Sequence, residues 1–226
     1  AGRRAPGSPI RPALDASRSL PNVMRGLRAA LPHATLIVVD DGSTDDTGAV
    51  ARSWADVVIR FAANHGKGAA LRAGIAEALM RQAAAVLTID ADGQHAPTAA
   101  PALLAALDDA DVAVGARPRG RSAMPFGRRV TNALASAAVG AIVGAPVPDP
   151  QSGFRAVRRV VLERVRATGD RYEYETDFLI LAAHAGFRVT AVPIPTVYGA
   201  PSHFRGVRDS MRVVRTIWRH RPGVAR

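Results

Sequence analysis

The chain of 226 residues is long enough for one large domain, and its 48% apolar and 22% charged residues describe a globular rather than a disordered protein. It contains no Cys, which excludes disulfides and thiolate metal sites. The formal net charge of +11 indicates an anionic partner, such as nucleic acid, a phospholipid surface or a phosphorylated substrate.

Neither a signal peptide nor a membrane-spanning helix is predicted. Residues 1–7 contain arginines but no apolar region follows them. The longest apolar stretch, 133–147, is interrupted by Ser136 and falls short of the roughly 18 apolar residues that a spanning helix needs. The sequence therefore predicts a protein that is soluble or lies on a membrane surface.

The first half of the chain alternates strands with helices. A doubly wound sheet usually opens with a strongly apolar strand, whereas residues 8–14 carry two prolines and an arginine and predict a strand only weakly. Further strands are predicted at 36–39, 57–59, 86–89 and 112–114. Helices are predicted after Ser43 or Thr44 as N-cap, over 67–81, and from Pro97. This alternation predicts βαβ units and a mostly parallel sheet.

The second half has a different pattern. An Arg-, Pro- and Gly-rich loop at 117–129 leads into an Ala-rich helix at 130–143. A strand near 154–157, helices near 158–167 and 175–185, and a strand at 188–192 are predicted next. The last predicted element is a helix over 204–219.

Two acidic loops follow predicted strands: Asp40-Asp41 and Asp90-Ala91-Asp92. In an open α/β sheet, ligands bind beside the carboxyl ends of the strands. Alternation along an extended segment lets Asp90 and Asp92 face the same side, where they would repel each other without a cation. Such oxygen ligands suit Mg²⁺ or Mn²⁺. The alternative is a simple turn, because Asp and Gly are common turn residues.

Five ordered segments resemble the motifs of family 2 glycosyltransferases of the GT-A fold, in the branch of dolichol-phosphate mannose synthase-like enzymes. The donor-side segments are Val38–Thr47, Asn64–Gly74 and the Asp90–His95 segment, which matches the DXD metal motif. Asp149–Ala156 and Tyr172–Asp177 resemble the acceptor-side motifs. The resemblance extends from about Pro12 to the C-terminus and implies a GT-A fold, a Rossmann-like, mostly parallel sheet flanked by helices.

The resemblance also implies roles for donor-side residues. Asp92, with Asp90, would bind the metal that bridges the nucleotide diphosphate, and Asp41 would hold the base or ribose. Lys67 is the only lysine among the 30 basic residues and lies in a glycine-flanked loop that lets the backbone approach the nucleotide. The implied donor contacts are Pro12, Ala13, Asp40, Asp41, Lys67, Asp90 and Ala91.

The acceptor side is implied to bind a lipid phosphate. Such a nucleophile is already anionic, so it needs charge neutralisation and alignment rather than a strong base. The resembling enzymes place phosphate-binding arginines where this chain has Arg117, Arg128 and Arg129, although each also suits a solvated basic loop. The implied acceptor loop contains Gln151, Ser152 and Gly153.

Asp177 is the candidate base for the alternative case of a hydroxyl acceptor, or else it holds an arginine. Glu175 and Asp177 are two positions apart and diverge by about 200° on a helix, so the two side chains are not expected to face one ligand.

One segment departs from the family pattern. Where the family has Pro-Ala-(Tyr/Leu)-Asn-Glu at the end of the first strand, this chain has Pro12-Ala13-Leu14-Asp15-Ala16. The loss of the Asn and Glu keeps open the alternative of a catalytically silent nucleotide-binding homologue.

The predicted C-terminal helix is basic and amphipathic. At about 100° per residue, Val207, Met211, Val214, Ile217 and Trp218 form one stripe, beside a band of arginines. This composition is typical of an interfacial membrane helix, although a helix docked on the core would show the same pattern. No helix-turn-helix, RNA-binding aromatic pattern or zinc spacing is present, so nucleic acid is not an expected partner.

These observations predict a GT-A domain at 1–203 followed by a basic amphipathic helix at 204–226. The expected reaction is metal-dependent, inverting transfer of a hexose from a nucleotide sugar of the GDP-mannose or UDP-glucose type to a polyprenyl phosphate. The expected place is the cytoplasm, peripheral on the anionic inner face of the plasma membrane. The alternatives are a glycosyltransferase with a glycan or small-molecule hydroxyl acceptor, and a silent homologue.

Overall fold

The computed structural model describes residues 7–90, 95–116, 126–144, 147, 149–171, 173–195, 215–216 and 218–220; within 126–143, side chains are described at 133 and 135–142. In chain order the strands are β1 (Ser8–Ala13), β2 (Ile37–Asp40), β3 (Val57–Arg60), β4 (Ala85–Thr88), β5 (Val112–Ala116), β6 (Arg155–Arg158) and β7 (Val189–Pro193). The helices are α1 (Leu20–Ala30), α2 (Thr47–Trp54), α3 (Lys67–Met80), α4 (Ala100–Ala105), α5 (Phe126–Val143), α6 (Arg159–Arg164) and α7 (Glu173–His184).

Within these residues seven strands form one sheet in the order β3-β2-β1-β4-β6-β5-β7. Strand β6 runs antiparallel to β4 and β5, whereas the other described pairings are parallel. The prediction of a mostly parallel α/β sheet flanked by helices is therefore confirmed. The carboxyl ends of β1, β2 and β4 meet at one edge of the sheet, where ligands of open α/β sheets bind.

Helices cover both faces of the sheet and bury a core on each. On one face, residues of α3, α5, α6 and α7 pack against strand residues such as Ile10 and Val39. On the other face, α1, α2 and α4 pack against Val38 and Leu87. In the described part of the chain, no helix is both long and apolar enough to cross a membrane.

Strand β1 forms in the middle of the sheet despite its two prolines. The Ile10 carbonyl accepts from the Ile89 amide just after β4, and the Ala13 carbonyl accepts from the Asp41 amide just after β2. Alternate residues of β1 therefore face opposite neighbours. By this alternation Pro9 faces β2, but it precedes Ile10, where the pairing of β1 with β2 starts. Pro12 faces β4, but it follows Ile10, where the pairing of β1 with β4 ends. Neither proline therefore removes an amide that the sheet uses.

Two predicted helix starts are wrong. Helix α2 begins at Thr47 with Asp46 as N-cap, not after Ser43 or Thr44, because the hydroxyl groups of Ser43 and Thr44 bond to Asp15. Helix α5 begins at Phe126, inside the predicted 117–129 loop. Helix α6 is also shorter than predicted, and helix α1 (Leu20–Ala30) was not predicted. Most of the predicted helix over 204–219 lies outside the described residues. The remaining elements start and end close to their predicted bounds.

Candidate active site

The loops that follow β1 and β2 are joined by side-chain hydrogen bonds. Asp15 has φ of 46°, a left-handed conformation that Asp tolerates better than most residues. Its amide donates to Ser43 Oγ at 3.0 Å, and its Oδ1 accepts from the Thr44 amide at 2.9 Å. The Ala16 amide donates to Thr47 Oγ1 at 2.7 Å. The Pro12–Ala16 segment, which departs from the family pattern, is therefore held beside the first acidic loop by these hydrogen bonds.

Asp40 and Asp41 are buried and fix the backbone around them. Asp40 Oδ1 accepts from the Ser43 amide at 2.9 Å, and its Oδ2 lies 3.3 Å from Arg60 Nε. Asp41 accepts from the amides of His65 and Gly66 at 2.8 and 2.9 Å. Asp41 thus holds the loop that leads into α3.

Pro12 and Ala13, the other predicted donor contacts from this side, are buried at the end of β1. The Ala13 carbonyl accepts from the Asp41 amide at 2.8 Å. Ala13 therefore binds the acidic loop at the end of β1.

Lys67 joins the donor-side and acceptor-side segments. Its Nζ lies 2.6 Å from Asp90 Oδ1 and 2.5 Å from Glu175 Oε1. Lys67 starts α3, Asp90 follows β4, and Glu175 lies in the first turn of α7, so three distant parts of the chain meet. Asp90 also lies near His95, whose Nε2 is 3.9 Å from Asp90 Oδ2. We call Lys67, Asp90 and Glu175 the charge cluster.

Arg155 holds the predicted acceptor loop. It is buried at the start of β6, and its guanidinium donates to the carbonyls of Pro150, Ser152 and Glu175 at 2.6 to 2.7 Å. The loop that contains Gln151, Ser152 and Gly153 is thereby tied to the start of α7. Ser152 is buried, whereas Gln151 is partly exposed.

Gly153 touches the charge cluster directly. A Cβ at Gly153 would overlap the Asp90 carboxylate, so a glycine is needed at this position. The Thr88 hydroxyl donates to the Gly153 carbonyl at 2.8 Å and fixes its distance from β4. The predicted acceptor loop and the predicted metal ligand are therefore in contact.

Burial and neighbouring charges have opposite effects on the pKa values of Lys67, Glu175 and Arg155. Burial alone would lower the pKa of Lys67, but the carboxylates of Asp90 and Glu175 outweigh it and raise that pKa, so Lys67 is an ammonium ion. Burial raises the pKa of Glu175 against the opposing effect of Lys67 and Arg155. Burial likewise lowers the pKa of Arg155 and raises that of the neighbouring Tyr174 phenol to about 12.

Asp177 contacts residues outside the charge cluster. Its Oδ1 is 2.8 Å from His220 Nε2, and its Oδ2 accepts from the Thr168 amide at 3.3 Å. The divergence predicted for Glu175 and Asp177 is confirmed, because Glu175 contacts Lys67 and Asp177 contacts the C-terminal segment. Asp177 therefore contacts the C-terminal segment and the segment before α7.

Several predicted site residues lie outside the described residues: Ala91, Asp92, Arg117 and the side chains of Arg128 and Arg129. Among the described residues, no group of three or more His, Cys, Asp or Glu side chains is placed to hold a metal ion. The pairing of Asp90 with Asp92 at a metal therefore stays a prediction.

Sequence reasoning gave no site role to Glu175 or Arg155. For Glu175, the signal available in the sequence was a charged residue within a motif-like segment. In the structure this residue is 2% exposed, which is rare for a glutamate without a partner. Arg155 was an arginine in a predicted core strand. Its role depends on three backbone carbonyls that only the tertiary structure brings together.

The family model described as glycosyl transferase family 2 matches residues 10–166. The chain is 34% identical over 198 residues to polyprenol monophosphomannose synthase of Mycolicibacterium smegmatis, covering 82% of this chain and 75% of that one. It is 31% identical over 205 residues to undecaprenyl-phosphate mannosyltransferase of Micrococcus luteus, covering 83% and 82%. It is 30% identical over 223 residues to a UDP-N-acetylglucosamine–dolichyl-phosphate N-acetylglucosaminyltransferase of Methanococcus voltae, covering 87% and 88%.

Solved structures share the fold. Glucosyl-3-phosphoglycerate synthase from Mycobacterium tuberculosis, crystallised with Mn²⁺, uridine diphosphate and phosphoglyceric acid, superposes with a TM-score of 0.75 at 23% identity. The match covers 96% of this chain and 78% of that one. At this identity the likeness shows the GT-A fold alone.

Proposed function

The chain belongs to glycosyltransferase family 2, a family of nucleotide-sugar-dependent glycosyltransferases, and we propose that it transfers a hexose to a polyprenyl phosphate with inversion and with Mg²⁺ or Mn²⁺. The observation that carries this proposal is the charge cluster, where donor-side and acceptor-side segments meet. Support for the acceptor comes from the three relatives, whose names specify polyprenol monophosphomannose, undecaprenyl phosphate and dolichyl phosphate.

Asp90 and Asp92 would hold the metal ion. Carboxylate oxygens are the donors that Mg²⁺ and Mn²⁺ prefer, and the Asp90 side chain is 20% exposed while that of Glu175 is 2% exposed. Asp90 therefore remains accessible to a ligand from the open edge of the sheet. When bound, the ion would neutralise negative charge on the departing diphosphate.

The acceptor phosphate would act as nucleophile. One of its oxygens forms the new bond to the anomeric carbon while the bond from that carbon to the donor diphosphate breaks, and the electron pair leaves with the nucleoside diphosphate. The loop held by Arg155 would orient the acceptor, and Arg117, Arg128 and Arg129 would neutralise its charge.

The position of Asp177 favours a phosphate over a hydroxyl acceptor. A hydroxyl group needs a base, and Asp177 was the candidate for that role. Its carboxylate instead contacts His220 and the Thr168 amide. A phosphate acceptor needs no such base.

The reaction is tested directly by incubating the protein with labelled GDP-mannose or UDP-glucose and polyprenyl phosphate. We expect labelled lipid in Mn²⁺ or Mg²⁺ and none in EDTA. Titration calorimetry with GDP and UDP, with and without Mn²⁺, identifies the base that the donor site binds. Binding of a nucleotide without transfer to any acceptor would instead establish a silent homologue.

Substitution of the second DXD carboxylate tests the metal assignment. Asp92→Ala should lower the rate of transfer by at least about a hundredfold, because the metal supplies several kcal/mol of charge stabilisation in the transition state. Circular dichroism should show an unchanged fold. The same substitution at the exposed Asp109 is the control and should leave the rate unchanged. Full turnover of Asp92→Ala in Mg²⁺ would contradict the assignment.

We also propose that the C-terminal segment, residues 204–226, holds the enzyme on the anionic cytoplasmic face of the membrane. In its described part, Thr216 is 2% exposed and faces the domain. Arg215, Trp218 and Arg219 are exposed, which is the combination that an interfacial surface uses.

A further inference from the structure

The charge cluster contains one carboxylate more than its lysine requires. Lys67 lies within 2.6 Å of both Asp90 and Glu175, so two negative charges and one positive charge leave a formal net charge of −1. Among the neighbouring described residues, Arg155 is a cation close to Glu175, and Asp149 is an anion close to Arg155. Glu175, Arg155 and Asp149 are buried, whereas the side chains of Lys67 and Asp90 are 13% and 20% exposed.

We propose that Glu175 is a positioning residue for the metal ion: it shares Lys67 with Asp90 and keeps the charge cluster negative, so that Asp90 retains the capacity to bind a divalent cation. The inference rests on the proposed function, because it concerns the metal of that reaction. Glu175 acts through Lys67 and Asp90 and is not itself a ligand in this proposal.

Simple structural pairing does not account for Glu175. Lys67 and Asp90 alone would form a neutral pair, and a second carboxylate beside them is costly to bury. Arg155 offsets this cost only in part, because burial still raises the pKa of Glu175. Without Glu175, Lys67 would have Asp90 as its principal counter-ion, and a divalent ion would have to displace or tolerate the ammonium. With Glu175 present, the ammonium is shared between two carboxylates.

The location of Glu175 also links the two substrate sides. Its side chain contacts Lys67 of the donor-side motif, and its backbone carbonyl accepts from Arg155 at 2.6 Å. Arg155 in turn holds the acceptor loop through Pro150 and Ser152. A residue at this junction sets the position of the lysine relative to both loops.

A charge series tests the proposal, with Mn²⁺ alone as the probe and free Mn²⁺ measured by electron paramagnetic resonance at pH 8. The cluster has a formal charge of −1 in the wild type and 0 in Glu175→Gln. It has −2 in Lys67→Met and −1 again in the double variant. We expect Glu175→Gln to bind Mn²⁺ about tenfold or more weakly than the wild type. Lys67→Met should bind it more tightly, and the double variant should recover affinity relative to Glu175→Gln.

The matched control is Glu163→Gln, the same substitution at an exposed glutamate that pairs with Arg159 on α6. It should leave Mn²⁺ binding unchanged. Thermal unfolding in EDTA separates positioning from structure, because the proposal predicts that Glu175→Gln is no less stable than the wild type without metal. A structural role predicts lower stability and further loss of Mn²⁺ binding in the double variant.

The outcomes separate the two proposals. Equal Mn²⁺ affinity in the wild type and Glu175→Gln would overturn the positioning role, while metal-dependent transfer by the wild type would still establish the proposed function. If Glu175→Gln does not fold, a Lys67→Met variant that binds Mn²⁺ no more tightly than the wild type would overturn it instead. A wild type that neither binds Mn²⁺ nor transfers sugar would overturn both.

Discussion

Gly153 leaves the space that the Asp90 carboxylate occupies. Its backbone lies so close that a Cβ would overlap the carboxylate oxygens, and the Thr88 hydroxyl fixes the Gly153 carbonyl at 2.8 Å. Because protein interiors are close-packed, the added carbon would displace Asp90, Gly153 or both. The identity of one residue in the acceptor loop thus controls the position of a predicted metal ligand.

Gly153→Ala should therefore impair both function and stability. We expect transfer to fall at least about tenfold, and the free energy of unfolding to fall by about 1–3 kcal/mol as expected for overpacking. Transfer assays and urea unfolding measure the two effects. Gly186→Ala is the control, because Gly186 has φ of 82° and no atom within 4 Å of a built Cβ. It should cost about 1 kcal/mol through backbone strain and leave transfer intact.

At the scale of elements, side-chain hydrogen bonds add to the apolar contacts at the junction of β1, β2 and α2. Asp45 accepts from the Ser17 amide at 3.2 Å, from the Thr47 amide at 2.9 Å and from the Thr47 hydroxyl. Burial alone would raise the pKa of Asp45, but the hydrogen bonds from Ser17 and Thr47 together lower it to about 2. The carboxylate form thus joins the loop after β1 to the start of α2.

This pKa predicts a pH dependence of stability. The folded pKa of about 2 lies below the usual value of 3.8, so the contribution is present above pH 4 and is lost as the pH falls towards 2. Asp45→Asn should lower the free energy of unfolding by about 1–2 kcal/mol at pH 7 and by less at pH 3, measured in urea. Asp46→Asn is the control, because Asp46 is exposed and makes no side-chain cap bond. A difference between wild type and Asp45→Asn that is the same at both pH values would contradict the prediction.

Most of the order of strands and helices could be predicted because apolar runs and helical periodicity are local signals, although α1 was missed. The weak prediction for β1 has a physical reason. The sequence shows Pro9 and Pro12 but not the neighbours that their missing amides face, and that direction decides whether a proline harms a sheet. The start of α2 was missed because Asp15 binds the hydroxyl groups that were expected to cap the helix.

In the candidate site too, local geometry could be predicted from the sequence but tertiary contacts could not. Helical geometry alone indicates that Glu175 and Asp177 face different ways. Which of them meets Lys67 depends on how α7 packs against α3, and this is a tertiary contact between segments far apart in the chain. The contact of Gly153 with Asp90 is tertiary in the same way.

At the scale of the whole molecule, the C-terminal segment is attached to the domain on one side and exposed on the other. His220 lies 2.8 Å from Asp177 of α7, and Thr216 is buried. Trp218 is 56% exposed. The formal net charge of +11 would favour the proposed association with an anionic membrane, to which each arginine near the surface would contribute about 1 kcal/mol.

Trp218→Gln should weaken this association. Co-sedimentation with vesicles that contain anionic phospholipid should show several-fold less bound protein, because an indole ring enters the interface favourably and an amide does not. Raised salt should lower binding further by screening the arginines. Met80→Gln is the control, since Met80 is also apolar and 70% exposed but lies at the end of α3. Equal binding of both variants and the wild type would contradict a membrane role for Trp218.

The start of α3 has a consequence for how the donor is held. The amides of Gly68 and Ala69 donate to the Asp170 carbonyl at 2.7 and 3.3 Å, and a Cβ at Gly66 or Gly68 would collide with the same backbone. In dinucleotide-binding folds such amides form the phosphate receptor. Here the Asp170 carbonyl occupies them, so in the proposed reaction the diphosphate would depend on the divalent ion for charge neutralisation. In the proposed reaction, the supply of that ion in the cell sets how much of the enzyme carries a sugar nucleotide.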